Sequence, residues 1–357
     1  MRFSPALLSF SLTGLLSVLS AGGQTKGTPL PGLPDADKPA ATASNAPAAA
    51  PAPAPPDIPA LKKKAEEGDA ASQVQLAALI LSGAVKDAKP AEAAALLEKA
   101  ADAGFAPAQF HFARLLQSGQ AGVKVDAERA KFLLEQSAEG GFAAAQSAWG
   151  QVLENQIDPK ARDVSYEEPA KWYEKAIAQG DAEGYCRLGM LKASGRIKSE
   201  PVEGWKLLQK AAHAGHPLAL NECGVALQRG TGVERDDTAA VGYFLAAADL
   251  GNLTALHNLG RCYREGVGVP RNTEKAGQAF ASAAKANFAP SQMVLAEIFE
   301  KGEGTAPNPV NAAANYYFAM RNGVAGAQER YDGIRKGLSG SQVKELEKII
   351  KPAATKP

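Results

Sequence analysis

Residues 210–233 read KAAHAGHPLALNECGVALQRGTGV, and residues 246–269 read AAADLGNLTALHNLGRCYREGVGV. Residues 99–123 read KAADAGFAPAQFHFARLLQSGQAGV. Each stretch runs from an Ala-Ala pair to a glycine, through an apolar pattern with a small residue at its centre, to a second glycine turn. Followed outward along the chain, the markers Gly68, Gly104, Gly140, Gly180, Gly215, Gly251, Asn287 and Gly323 fall 36, 36, 40, 35, 36, 36 and 36 residues apart. Self-similarity at such a period is the mark of stacked helical units. It divides the chain into seven repeats, at about 69–104, 105–140, 141–180, 181–215, 216–251, 252–287 and 288–323. The third is longer because the connection from Gln156 to Ser165 holds extra residues.

Within the fifth repeat the apolar spacing predicts a helix A over Leu218–Arg229 and a helix B over Thr238–Asp249. Helix A keeps Ala219, Cys223, Gly224, Ala226 and Leu227 on one stripe, and helix B carries Ala239, Ala240, Tyr243, Phe244, Ala246 and Ala247. Gly230 and Gly232 suit the turn between them, and Asp236 stands where an N-cap is wanted. Gly189, Gly224 and Gly260, with Ala77, Ala113 and Ala296 elsewhere, are small residues at one repeating site, as close helix approach requires. Tyr173, Tyr243, Phe280 and Tyr317 of the B helices are expected to fill the space between helices. One hairpin cannot bury its apolar face alone, so the repeats must stack.

The pattern Ala-x-x-x-Leu-Gly-x-x-Tyr-x-x-Gly-x-Gly-Val, followed by Lys-Ala, is carried by Ala255, Leu259, Gly260, Tyr263, Gly266, Gly268, Val269, Lys275 and Ala276. It resembles the Sel1-like repeat, a relative of the tetratricopeptide repeat, and the resemblance covers about residues 68–323. The third repeat has Trp149-Gly150 but no Gly-x-Gly-Val loop, and the first is truncated there. The expected fold is all-α: a right-handed α-solenoid of about seven helix-turn-helix Sel1-like repeats with capping helices. Residues 57–67 read as an N-terminal cap. Residues 324–351 read as a C-terminal cap that ends in an amphipathic helix, Ser341–Lys351.

The ends of the chain read differently. Residues 1–23 have a basic start at Arg2, an uncharged apolar run from Ala6 to Leu19 and small residues at Ser20–Gly23, the pattern of a cleavable secretory signal. Residues 24–60 alternate Pro and Ala, which withholds backbone donors and buries little surface, so a disordered linker is expected. The solenoid then occupies 61–351 and a disordered tail 352–357. The expected location is the periplasm or the medium, with association with the cell envelope as a further expectation and no membrane span once the signal is removed.

Composition narrows function mostly by exclusion. The 39 Lys+Arg against 38 Asp+Glu give a net charge of +1. Setting aside Arg2, Lys26 and Lys38 with Asp35, Asp37 and Asp57 leaves 36 against 35 in residues 61–357, so the neutrality belongs to the repeats. A nucleic-acid partner, which calls for a basic excess, is not expected. Cys186, Cys223 and Cys262 lie in successive A helices at three different repeat positions, and are expected as small buried free thiols, a disulfide between neighbouring A helices being the alternative. His213 and His216 flank Gly215 at a helix end without further ligands for a metal. The repeated Gly-x-Gly-Val turns explain themselves as turns rather than as phosphate loops. No catalytic constellation is evident, and no enzyme activity, cofactor or metal is expected.

The resemblance implies a non-enzymatic scaffold whose partner, a protein or peptide, lies in the concave groove lined by the A helices. The face opposite the buried stripe of helix A carries Arg114, Arg187, Asn221, Arg229, His257, Asn258, Arg261 and Arg264, with Phe110, His111, Gln117, Met190, Ser194, Glu222, Gln228 and Glu265 among them. The planar fork of arginine suits carboxylates, and the two asparagines suit an extended backbone, so the groove is expected to take a peptide or an acidic segment, a simply solvated polar face being an equal alternative. The alternative is a protein that binds or remodels cell-wall (peptidoglycan) fragments.

Overall fold

A computed structural model describes residues 57–354. Seventeen α-helices and no strand occur among them. They are α1 Ile58–Glu66, α2 Ala70–Leu81, α3 Pro90–Asp102, α4 Ala106–Ser118, α5 Ala127–Glu139, α6 Ala143–Gln156, α7 Glu167–Ile177 and α8 Ala182–Ala193. There follow α9 Pro201–His213, α10 Pro217–Arg229, α11 Asp237–Asp249, α12 Leu253–Glu265, α13 Thr273–Lys285, α14 Ala289–Lys301, α15 Pro309–Arg321, α16 Ala327–Lys336 and α17 Gly340–Ala354. Even numbers from α2 to α14 are the A helices and odd numbers from α3 to α15 the B helices, the architecture of an all-α helical-repeat solenoid. The expected signal segment, nearly all of the expected linker and the last residues of the expected tail lie outside the described residues. The linker boundary moves: α1 begins at Ile58, three residues early, because Asp57 accepts from the Ala60 N–H at 3.1 Å and caps it. At the other end α17 runs on to Ala354, past the expected Lys351.

The chain divides into two compact units between Ser199 and Glu200, which separates α8 from α9 within one repeat. In the first unit a continuous core runs from Leu61 of α1 to Trp149 of α6. In the second, one cluster centres on Phe280 of α13 and another on Tyr316 of α15, which Leu346 of α17 closes.

Short polar residues start the helices and left-handed residues end the hairpins. Asp69, Asp181 and Asn252 accept from the backbone N–H three residues on, each at 2.8 Å, at the starts of α2, α8 and α12. The repeat markers are positive-φ residues, and Asn287 (φ 64°) substitutes for glycine among them. One marker shifts: Gly140 has an ordinary helical φ and Gly141 (φ 86°) makes the turn. The second repeat is therefore one residue longer than the expected boundaries, and the third one shorter.

The close approach of A and B helices has a specific partner for each small residue. A Cβ on Gly150, Gly224 or Gly260 would lie 2.7, 2.6 or 2.9 Å from the ring of Tyr173, Phe244 or Phe280. Tyr243 is buried as expected, its ring 6.3 Å from that of Trp205, and the adjacent Phe244 is buried too and is the ring that meets Gly224. The expected ring at Tyr317 is corrected to Tyr316, which is fully buried in the cluster holding Ala296. There two adjacent aromatic residues compete for one slot. Helix phase, which residue type alone does not reveal, sets the winner. The Gly-x-Gly-Val turns have a packing role as well: any side chain at Gly268 (φ 72°) would run into the Asp237 carbonyl at the start of α11.

Candidate functional site: the A-helix faces

Eight side chains were expected to face a partner, and the structure gives them unequal roles. In the first unit, Arg187 of α8 pairs with Glu183 one turn back at 2.6 Å, both side chains largely buried. With the amide of Gln151 in its hydrogen-bonding orientation, the Gln151 oxygen accepts from the same guanidinium at 2.6 and 3.2 Å. Arg187 therefore ties α6 to α8. Arg114 of α4 is half-buried and has no hydrogen bond or ion pair from its guanidinium to any described residue. Its Cζ lies 5.9 Å from the Phe110 ring centroid. Burial without a compensating acid pushes its pKa down.

His111, expected on the same open face, is buried instead, at 5% exposure. Its ring packs edge-on against Phe110 at 5.3 Å and Phe142 at 6.2 Å, and its Nδ1 has no partner. Burial first, and the Arg114 charge second, hold its pKa down to about 4, so the ring is neutral at pH 7. The first unit thus has one uncompensated cation beside a neutral aromatic cluster.

In the second unit most polar groups satisfy one another. Asn221 of α10 is 1% exposed and not on an open face. It donates to Glu222 at 2.9 Å and accepts from Asn258 of α12 at 3.0 Å. Arg264 grips Glu303, in the turn after α14, through two bonds of 2.7 and 2.8 Å. That contact lowers the pKa of Glu303 and raises that of Arg264. Ser291 of α14 bonds the His257 Nδ1 at 2.9 Å, while Phe280 and Phe288 pack on the ring. Burial, then the charge of Arg261, lowers the His257 pKa. Arg261 pairs with Glu265 across 3.6 Å in solvent. Arg229 is exposed at the end of α10 and makes no ion pair with a described residue.

Sequence reasoning missed a set of staples between helices. Gln73, Gln146 and Gln292 sit at one repeat position and donate to the carbonyls of Ala65, Ala138 and Ala284 on the preceding helix, at 2.9, 3.3 and 3.3 Å. Tyr173 and Tyr316 donate to Glu154 and Glu300 at 2.8 and 2.6 Å, and Arg196 and Arg330 bind the same carboxylates. The recurring Gln was a visible signal; the Tyr–Glu pairs, 19 and 16 residues apart, were not.

Cys186, Cys223 and Cys262 are buried thiols and none is in a disulfide, in line with the first of the two expectations. His216 caps α10, its Nδ1 accepting from the Ala219 N–H at 3.3 Å. Among the described residues no group of three or more His, Cys, Asp or Glu side chains could hold a metal ion, and no helix is long and apolar enough to cross a membrane.

Stacked helix pairs and glycine-aromatic contacts define a helical-repeat protein. The chain belongs to the Sel1 repeat family, whose pattern matches residues 70–105, 106–142, 143–181, 182–216, 217–252, 253–288 and 289–324. Members of this family are generally non-enzymatic protein-interaction scaffolds. A Sel1 repeat protein from Oxalobacter formigenes is similar in structure, with TM-score 0.57 and 26% identity, over 70% of this chain and 96% of that one. A protective antigen present in uropathogenic Escherichia coli strains, displaying an SLR fold, has TM-score 0.56 and 23% identity over 84% of this chain. The present chain spans 65% of that antigen's length. A comparison with curated proteins finds no match.

Proposed function

We propose that this protein is an exported adaptor that holds a peptide segment of a partner protein along the A-helix faces of its repeats, in the periplasm or outside the cell. The observation that supports this most directly is the contrast among the arginines. Arg187 and Arg264 are engaged within the fold, whereas Arg114 and Arg229 make no ion pair with a described residue, Arg229 acting on Glu222 only through its charge. A face with unused planar donors suits carboxylate-bearing partners. The apolar run at residues 6–19 supports export.

Fractionation of the producing cell, followed by crosslinking and affinity purification of the full chain, tests the reading. Recovery of a defined protein from the envelope or the medium is the expected result. Recovery of muropeptides in place of a protein, or retention of the chain in the cytoplasm, would overturn it.

A further inference from the structure

The arginines of the candidate site differ in how they meet their surroundings. Arg187 and Arg264 are charges that the fold itself completes. Arg261 has a solvated partner in Glu265, and Arg229 is exposed, where water screens it and an isolated charge contributes little. Arg114 alone is both desolvated and unpaired, the combination that makes an external anion worth most, because part of the dehydration has already occurred in the free protein.

Its neighbours shape what that anion can be. Phe110 lies under the guanidinium, and Phe142 packs on Phe110 at 5.4 Å, so one side is an apolar wall. His111 adds no positive charge at neutral pH. Gln117, three residues further along α4, is exposed and has both an amide donor and an acceptor for a backbone. In the next repeat, Gln151 occupies the position of Arg114 and its amide is engaged by Arg187, while Ala148, at the position Arg187 fills one repeat later, is half-exposed.

On the adaptor reading above, we infer that Arg114 is the residue of the first unit that recognises a carboxylate, taking an Asp or Glu side chain from within an extended segment of the partner. The fork donates two parallel bonds to the carboxylate, and the flat guanidinium stays on the Phe110 ring.

The test uses the full chain and arrays of nonapeptides with blocked termini, each made with Glu or with Gln at the centre. Wild-type protein should bind the best Glu peptide at least tenfold tighter than its Gln twin. Arg114→Met should bind both alike, with thermal unfolding unchanged from wild type, and Arg114→Lys should keep only a minor part of the preference. Lys131→Gln, at an exposed position of the B helix α5 outside the candidate face, should as a control leave the Glu/Gln ratio unchanged. Equal binding of Glu and Gln peptides to the wild-type protein, a ratio that survives Arg114→Met, or a preference for free C-termini would overturn the assignment. Crosslinked recovery of the partner by Arg114→Met at wild-type yield would refute the assignment while leaving the adaptor standing. Loss of every protein partner from the wild-type chain would remove both.

Discussion

The face of α4 in the first unit and the face of α12 in the second begin from the same ingredients: an arginine, an imidazole and flanking aromatic rings. On α12 three polar groups find an answer in a neighbouring repeat, with Arg264 on Glu303, His257 on Ser291 and Asn258 on Asn221, while Arg261 pairs within its own helix. On α4 the imidazole Nδ1 and the guanidinium find none among the described residues. Residue type says what a side chain can do; the neighbour one repeat away, some 35 residues along the chain, decides whether it is already doing it. A polar face completed internally is a structural joint, and one left incomplete is available to a partner.

The largest consequence of this contrast is acid sensitivity. The His111 pKa of about 4 lies below its ordinary value of 6.5, so the folded state resists protonation. Its contribution to stability is intact above about pH 6.5, declines as pH falls, and is exhausted near pH 4. The total is about 3 kcal/mol by linkage. Hydrogen exchange should show α4 losing protection over that interval more than α12, where the Ser291 hydroxyl can accept from a protonated ring. His111→Leu should flatten the decline; an unchanged pH profile in that variant would assign the acid response to other groups.

Removing the internal joint comes next. Arg264→Ala leaves the mostly buried Glu303 without its bidentate partner, and should cost about 1–2 kcal/mol in denaturant unfolding of the second unit. Asn258→Ala strips the bond to buried Asn221 and should cost about 1 kcal/mol in the same measurement. The smallest effect is the one that separates the two faces: Arg114→Met should change stability by less than about 0.5 kcal/mol, since no internal partner is orphaned. A loss as large as that of Arg264→Ala would show that Arg114, too, is a joint.

Much of the architecture was legible from residue spacing. Helix pairs recur because Ala, Gly and Leu do, and the A and B helices fall close to the expected limits. Asn287 was placed correctly among the glycines, because its short polar side chain tolerates a left-handed backbone. The candidate site was legible only as a roster. Arg187, Arg264, Asn221 and His257 are on or beside the expected helices, but nothing near them in the chain announces Gln151, Glu303, Asn258 or Ser291 as partners. Tyr316 takes the slot expected for Tyr317, and Phe244 beside Tyr243 is the ring that meets Gly224, because composition cannot phase a helix to within one residue when both candidates are aromatic.

The sequence alone thus determined the repeat, its turns, the neutral charge and the absence of recognisable catalytic motifs, all of which depend on residues close together in the chain. Tertiary structure decided which ring meets which glycine, which imidazole loses its water, and which arginines are engaged. Those outcomes depend on distances of a few ångströms between helices of different repeats. At that range a single bond to a distant side chain separates a charge the fold has completed from one it has left open.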